Sequence, residues 1–277
     1  VRFGKNGADV TGAAVRLARA VTGRDMLAYS GYHGHHDWSM GEPPMNAGIP
    51  EAVRDLSVRV PWPDIEALRG LLTTRAFACY VSEPWPTALH DSPPPDGYWQ
   101  EVRRICDATG TLLVCDEMVS GFRMAVGGGA EVYGISPDIG CYGKAMGNGY
   151  AVSAIVTRWE LAQRWERDVF FSTTHGAEQA GIAAATACMA IVRDEDVPRA
   201  LAGLGSEIMQ LPGVSGYPQR PALSGWTPEA LSCLVREHRV LTQGYVNISL
   251  AMCEDTKARS LLLRALEATA PKREAAA

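Results

Sequence analysis

Leu112-Leu113-Val114-Cys115-Asp116-Glu117 is an apolar strand that ends in carboxylates. Further on, Asp138-Ile139-Gly140-Cys141-Tyr142-Gly143-Lys144-Ala145-Met146-Gly147-Asn148-Gly149 is a second apolar run that breaks into glycines around one lysine. A βαβ-sized excursion separates Asp116 from Lys144, which predicts that the two groups stand at neighbouring strand ends. Working outward, Met26–Ser30 reads as a strand followed by a polar loop from Gly31 to Trp38. Phe77–Val81 is a strand that stops at Glu83-Pro84, and Ala151–Val156 is another. Helical spacing of apolar residues begins near Asp9, with Val10, Ala14, Leu17 and Val21 in step, and Gly23 closes it. Further helices are expected over Tyr98–Ala108 and Glu178–Val192, and Gly127-Gly128-Gly129 reads as a loop. After Asp194 the pattern weakens, with a break at Gly213–Trp226 and helices near Glu229–His238 and Lys257–Leu266. Short strands alternating with helices predict an α/β fold around a mostly parallel sheet. Ligands of such folds bind beyond the carboxyl ends of the strands, where Tyr32, Glu83, Asp116 and Lys144 are expected to meet.

Composition removes several classes of function. The net charge of −5, without a basic stripe, argues against nucleic acid as a partner. No apolar run approaches the roughly 20 residues that span a bilayer, so no membrane is expected. The start, Val1-Arg2-Phe3-Gly4-Lys5, has neither a signal-peptide pattern nor an initiating methionine, and is expected to be the start of an incomplete chain. Seven scattered cysteines, none spaced Cys-x-x-Cys, point to a reducing cytoplasm rather than to a disulfide framework or a zinc knuckle.

The chemistry follows from residue types. A lysine amine beside a buried aspartate suits pyridoxal phosphate: the lysine holds the cofactor as a Schiff base, and the aspartate keeps the pyridine nitrogen protonated. Apolar flanks are expected to desolvate Lys144 and free its amine. Asn6-Gly7-Ala8-Asp9 before a helix suits a phosphate cradle, because free N–H groups at a helix start attract anions; the same residues also read as an ordinary turn capped by Asp9. Tyr32 is expected to stack on the pyridine with His33 in support, Met118 to pack on the opposite ring face, and Glu117 to be peripheral. The loop Phe170–Gly176 offers hydroxyls to a phosphate. His33, His35 and Asp37 match part of a dinuclear metallohydrolase signature, but Trp38 occupies the place of its next histidine, and no metal is expected.

Together these residues resemble the class III pyridoxal-phosphate aminotransferases, closest to the glutamate-1-semialdehyde aminomutase branch. The resemblance runs from Val1 to about Val192 and is most specific in Asp116-Glu117-Met118-Val119-Ser120-Gly121-Phe122-Arg123 and in Pro137-Asp138 through Gly143-Lys144. It implies a fold-type-I transferase with helices on both faces of the sheet. Residues 1–192 would be a cofactor-binding large domain lacking its N-terminal part, and 193–277 a small, shortened C-terminal α/β domain. The implied catalytic residues are Lys144 and Asp116, and the implied cofactor contacts are Gly7, Ala8, Tyr32, His33, Glu83, Asp116, Met118, Lys144 and Thr174. Thr174 would reach the cofactor phosphate of a partner subunit, which implies a homodimer with shared sites acting on a small-molecule amino donor and acceptor. Ala8 stands where the family has a hydroxyl residue, so a truncated, catalytically silent paralogue serving as a binding or dimerisation partner is the alternative.

Overall fold

A computed structural model describes residues 1–42, 44–74, 76–242 and 244–271; residues 272–277 of the expected small domain lie outside them. The chain forms two compact units, one of Val1–Leu89 with Pro94–Ile191, the other of His90–Pro93 with the residues from Val192 onward.

The first unit is built on a seven-stranded sheet: β1 (Arg2–Gly4), β2 (Met26–Ser30), β3 (Ser57–Arg59), β4 (Phe77–Ser82), β5 (Leu112–Glu117), β6 (Ile139–Tyr142) and β7 (Ser153–Thr157). The order is β1-β7-β6-β5-β4-β2-β3. The pairs from β3 through β6 are parallel, whereas β7 runs antiparallel to both β6 and β1. Strand alternation divides the core between two faces. Leu27, Tyr29, Leu112 and Val114 pack with Val10, Ala14 and Leu17 of the helix Gly7–Thr22. Ala28, Tyr80, Leu113 and Cys115 pack on the other side with Leu68, Leu72, Val102 and Ile105. Those four belong to the helices Ile65–Thr74 and Tyr98–Thr109. Helices therefore cover both faces, as a parallel sheet requires.

Local expectations need three corrections. The first helix starts at Gly7, because Asn6 rather than Asp9 is its cap: Asn6 Oδ1 accepts the Asp9 N–H at 3.2 Å, and Asp9 returns a carboxylate oxygen to the Asn6 N–H at 3.1 Å. The triple glycine is not wholly loop, since Gly128 and Gly129 open the helix Gly128–Tyr133. The weak stretch after Asp194 contains the helix Val197–Ile208, with Pro198 in its first turn, where a missing N–H costs nothing.

The second unit holds that helix, the helices Pro228–Arg236, Leu250–Glu254 and Thr256–Thr269, and a hairpin of Ser215–Tyr217 with Arg220–Ala222. No described helix is long and apolar enough to cross a membrane.

Candidate active site

At the carboxyl ends of β2, β4, β5 and β6 lies a cavity of about 460 Å³. Gly7, Ala8, Tyr32, His33, Glu83, Asp116, Met118 and Lys144 all line it, together with Thr87 and others. Thr174 does not line it and is exposed.

Asp116 and Glu117 are adjacent yet face opposite ways. Asp116 shares the side of Leu112 and Val114 and enters the cavity. Glu117 shares the side of Leu113 and Cys115 and points beneath the sheet. It is not peripheral but fully buried, because it caps a helix: its carboxylate accepts from the N–H groups of Gly129 at 3.0 Å and Ala130 at 2.7 Å, and from the Ser120 hydroxyl. Burial pushes its carboxyl up, against the pull of those donors.

His33 is the buried partner of Asp116. Its Nδ1 lies 2.8 Å from Asp116 Oδ2, and its Nε2 lies 3.0 Å from the Ser30 carbonyl oxygen. A carbonyl only accepts, so Nε2 carries a proton; an ionised carboxylate also only accepts, so Nδ1 carries one too. A ring protonated on both nitrogens, an imidazolium, satisfies both acceptors; it stacks on Trp38, centroids 6.1 Å apart and planes within 9°. Burial alone works against this charge, but the hydrogen bond and charge of Asp116 outweigh it and raise the His33 pKa. The second Asp116 oxygen accepts the Met118 N–H at 3.1 Å. With both nitrogens of His33 engaged, the His33-His35-Asp37 metal reading loses its first ligand.

Glu83 is buried on the same cavity. Burial and the Asp116 charge raise its carboxyl from 4.5 to about 7, against the pull of Thr87 and His33. Thr87 gives it two bonds, Oγ1–H to Oε2 at 2.5 Å and N–H to Oε1 at 3.2 Å. Between pH 4.5 and about 7 the folded chain therefore keeps a proton that the unfolded chain has lost. Stability should fall as pH rises through that window, by at most about 3 kcal/mol. Urea midpoints at about pH 5 and about pH 8 should show this loss, and Glu83→Gln should lessen it, leaving the part due to the raised His33 pKa; an unchanged slope would exclude Glu83 as a source.

Lys144 opens a short 3₁₀ turn directly after β6, with a left-handed φ of 43°. It lines the cavity but is exposed rather than desolvated. Met118 is wedged beneath it. A Cβ at Gly7 would stand 3.0 Å from Met118 Sδ, and one at Gly143 only 2.7 Å from it. Gly34, at φ 107°, lets the loop after β2 cross the helix start, where a Cβ would lie 2.9 Å from that of Ala8.

Pyridoxal phosphate fits these residues. The first N–H groups of the helix Gly7–Thr22 have no intrahelical acceptor and face a cavity that glycine keeps open, as a phosphate needs. Asp116 offers a buried acceptor and Lys144 an amine. Tyr32, 58% exposed, flanks the opening. Ser30 and Thr87 were not legible as site residues; Asn6 was legible only as part of the candidate phosphate cradle, and its capping box with Asp9 was missed.

The sheet and its site define the fold-type-I pyridoxal-phosphate transferases. The profile for "Aminotransferase class-III" matches residues 1–211, and the chain belongs to that family. Membership indicates pyridoxal 5'-phosphate as the cofactor. The chain is 32% identical over 232 residues to the 3-aminobutyryl-CoA aminotransferase of Cloacimonas acidaminovorans (strain Evry), covering 81% of this chain and 55% of that protein. It thus spans about half the length of the curated relative it matches. Among solved structures, the PLP internal aldimine form of the FumI protein of Sphingopyxis sp. MTA144 superposes with a TM-score of 0.84 at 25% identity, over 97% of this chain and 69% of that one. A glutamate-1-semialdehyde aminomutase from Pseudomonas aeruginosa PAO1 in complex with PMP gives 0.82 at 19% identity, over 97% and 70%, a likeness of fold.

Proposed function

We propose that this chain carries the cofactor site of an enzyme that moves amino groups. The observation that supports it best is one cavity holding Lys144, Asp116 and the free N–H groups of Gly7 and Ala8. When bound, pyridoxal phosphate supplies a carbonyl that takes up an amino group and a ring that spreads the charge left when a proton departs.

Lys144 would hold the cofactor through Nζ, and its free amine would carry a proton from one atom of the substrate to another. Asp116 would accept the hydrogen bond of the cofactor's ring N–H and hold that proton in place. His33 orients Asp116 through the 2.8 Å contact of its Nδ1 with Oδ2. Gly7 and Ala8 hold the phosphate through backbone N–H groups; without a hydroxyl at Ala8, the helix start carries more of that task. Tyr32 and Met118, both on the cavity wall, would bound the faces of the cofactor ring. The name of the 32%-identical relative puts β-amino acyl substrates first among the amino donors to test.

The homodimer remains part of this reading. The alanine-rich helix Gln179–Asp194 leaves Met189 and Ile191 exposed, and Tyr150, Trp159 and Phe170 of the same unit are 60–74% exposed. Exposed large apolar side chains of this kind suit burial by a partner subunit, whose cofactor phosphate Thr174 would reach. Cysteines held as free thiols suit a reducing cytoplasm.

The chain has four lysines, Lys5, Lys144, Lys257 and Lys272, which makes the test clean. Borohydride reduction in the presence of pyridoxal phosphate, followed by peptide mapping, should place the adduct on Lys144 and leave Lys5, ion-paired with Glu178, unlabelled. Label spread over the other lysines, or none, would favour the silent-paralogue reading.

A further inference from the structure

Among the described residues, the group of metal-ligand side chains compact enough to grip an ion lies in the second unit. Cys233 Sγ, a Glu237 carboxylate oxygen and a His238 ring nitrogen all fall within 4.8 Å of one another. Helical spacing creates half of this arrangement. Cys233 and Glu237 are one turn apart at the end of the helix Pro228–Arg236, with the Glu237 N–H donating to the Cys233 carbonyl at 2.9 Å. A chain reversal creates the rest. Arg239 adopts a left-handed φ of 57°, and the Val240 N–H returns to the Leu234 carbonyl at 2.9 Å. His238, just before this reversal, is left on the side of Cys233 and Glu237.

We propose that Cys233, Glu237 and His238 bind a divalent cation of the zinc class, with water as the fourth ligand. The donor types select the metal. Sulfur and imidazole suit zinc and its borderline-soft neighbours, whereas magnesium and calcium require oxygen shells. Three protein ligands and one water complete a tetrahedron. Charge also balances: the thiol gives its proton to solvent, and thiolate plus carboxylate neutralise the dication. Zinc bonds of about 2.0 Å to nitrogen and about 2.3 Å to sulfur require the donors to draw closer. The exposed side chains of Glu237 and His238 can rotate to do so.

Glu237 and His238 also border a groove of about 750 Å³ whose walls include Val240, Leu241, Val246, Met252, Leu261 and Leu262. A bound ion would tie the last helical turn to the reversal and so fix one rim of this groove, leaving its water position open to solvent. The site depends on nothing in the cofactor reading.

Equilibrium dialysis of the whole chain, as purified with its cofactor, against micromolar zinc chloride should retain one zinc per chain, and magnesium chloride should leave none. Cobalt in place of zinc should give a near-ultraviolet thiolate-to-metal absorption. Cys233→Ser should remove that band, and Cys233→Ser and His238→Ala should each weaken zinc binding by at least about tenfold. Cys253→Ser should change neither, and far-UV circular dichroism should be the same for all three variants. Zinc retention and a cobalt band that survive Cys233→Ser would overturn the proposal, as would a chain that retains no zinc.

Discussion

Lys144→Ala is expected to lower amino transfer on the order of 10⁴-fold, the upper range for loss of a positioned acid–base group. The loss should be this large because, among the described residues, no other lysine lines the cavity. Borohydride labelling should vanish with it. The cofactor should still bind, because the helix start at Gly7 and Ala8 and the carboxylate of Asp116 are untouched. Single-turnover rates with a β-amino substrate, alongside cofactor retention on gel filtration, test both halves. Turnover that survives the loss of the lysine would remove Lys144 from the mechanism.

The second large effect is at Asp116. Asp116→Asn should slow proton abstraction on the order of 10³-fold, because a neutral amide no longer keeps the ring nitrogen protonated and the ring then accepts electrons less readily. The amide can still satisfy His33: it can donate to Nδ1 once the ring gives up its extra proton, while Nε2 keeps its bond to Ser30. Folding should therefore suffer by only about 1 kcal/mol. Asp116→Ala differs, since it leaves a buried histidine facing nothing, and should cost about 3 kcal/mol or more in urea unfolding. Equal stabilities for the two variants would mean that the His33–Asp116 pair does not hold this corner together.

The frame of the fold was readable in the sequence because each buried parallel strand is an apolar run ending in a charged or glycine residue. Asp116 and Lys144 announce themselves at such ends. The three-residue edge strand Ser57–Arg59 has too few residues to show a period. In Val197–Ile208, buried Val197, Leu201, Leu204 and Ile208 do keep helical spacing, but Pro198, Gly203 and Gly205 mask it. Within the site, the limits were tertiary. His33 and Asp116 are 83 residues apart, and no local pattern joins them. The opposite fates of Asp116 and Glu117 follow from alternation, yet which side held the cavity depended on which helices covered the sheet. Lys144 read as desolvated because its flanks are apolar, but exposure is set by what closes over a residue and not by its neighbours in sequence.

The left-handed backbone at Lys144 has an evolutionary corollary. A residue with a Cβ pays about 1 kcal/mol there, and glycine would not. The most stable version of this chain and the most active one therefore differ at that position. A gene copy released from selection on catalysis has a downhill first step, Lys144→Gly, that strengthens the fold while discarding the amine. Glycine at this place in a kindred sequence would mark a lineage that has given up the chemistry and kept the scaffold.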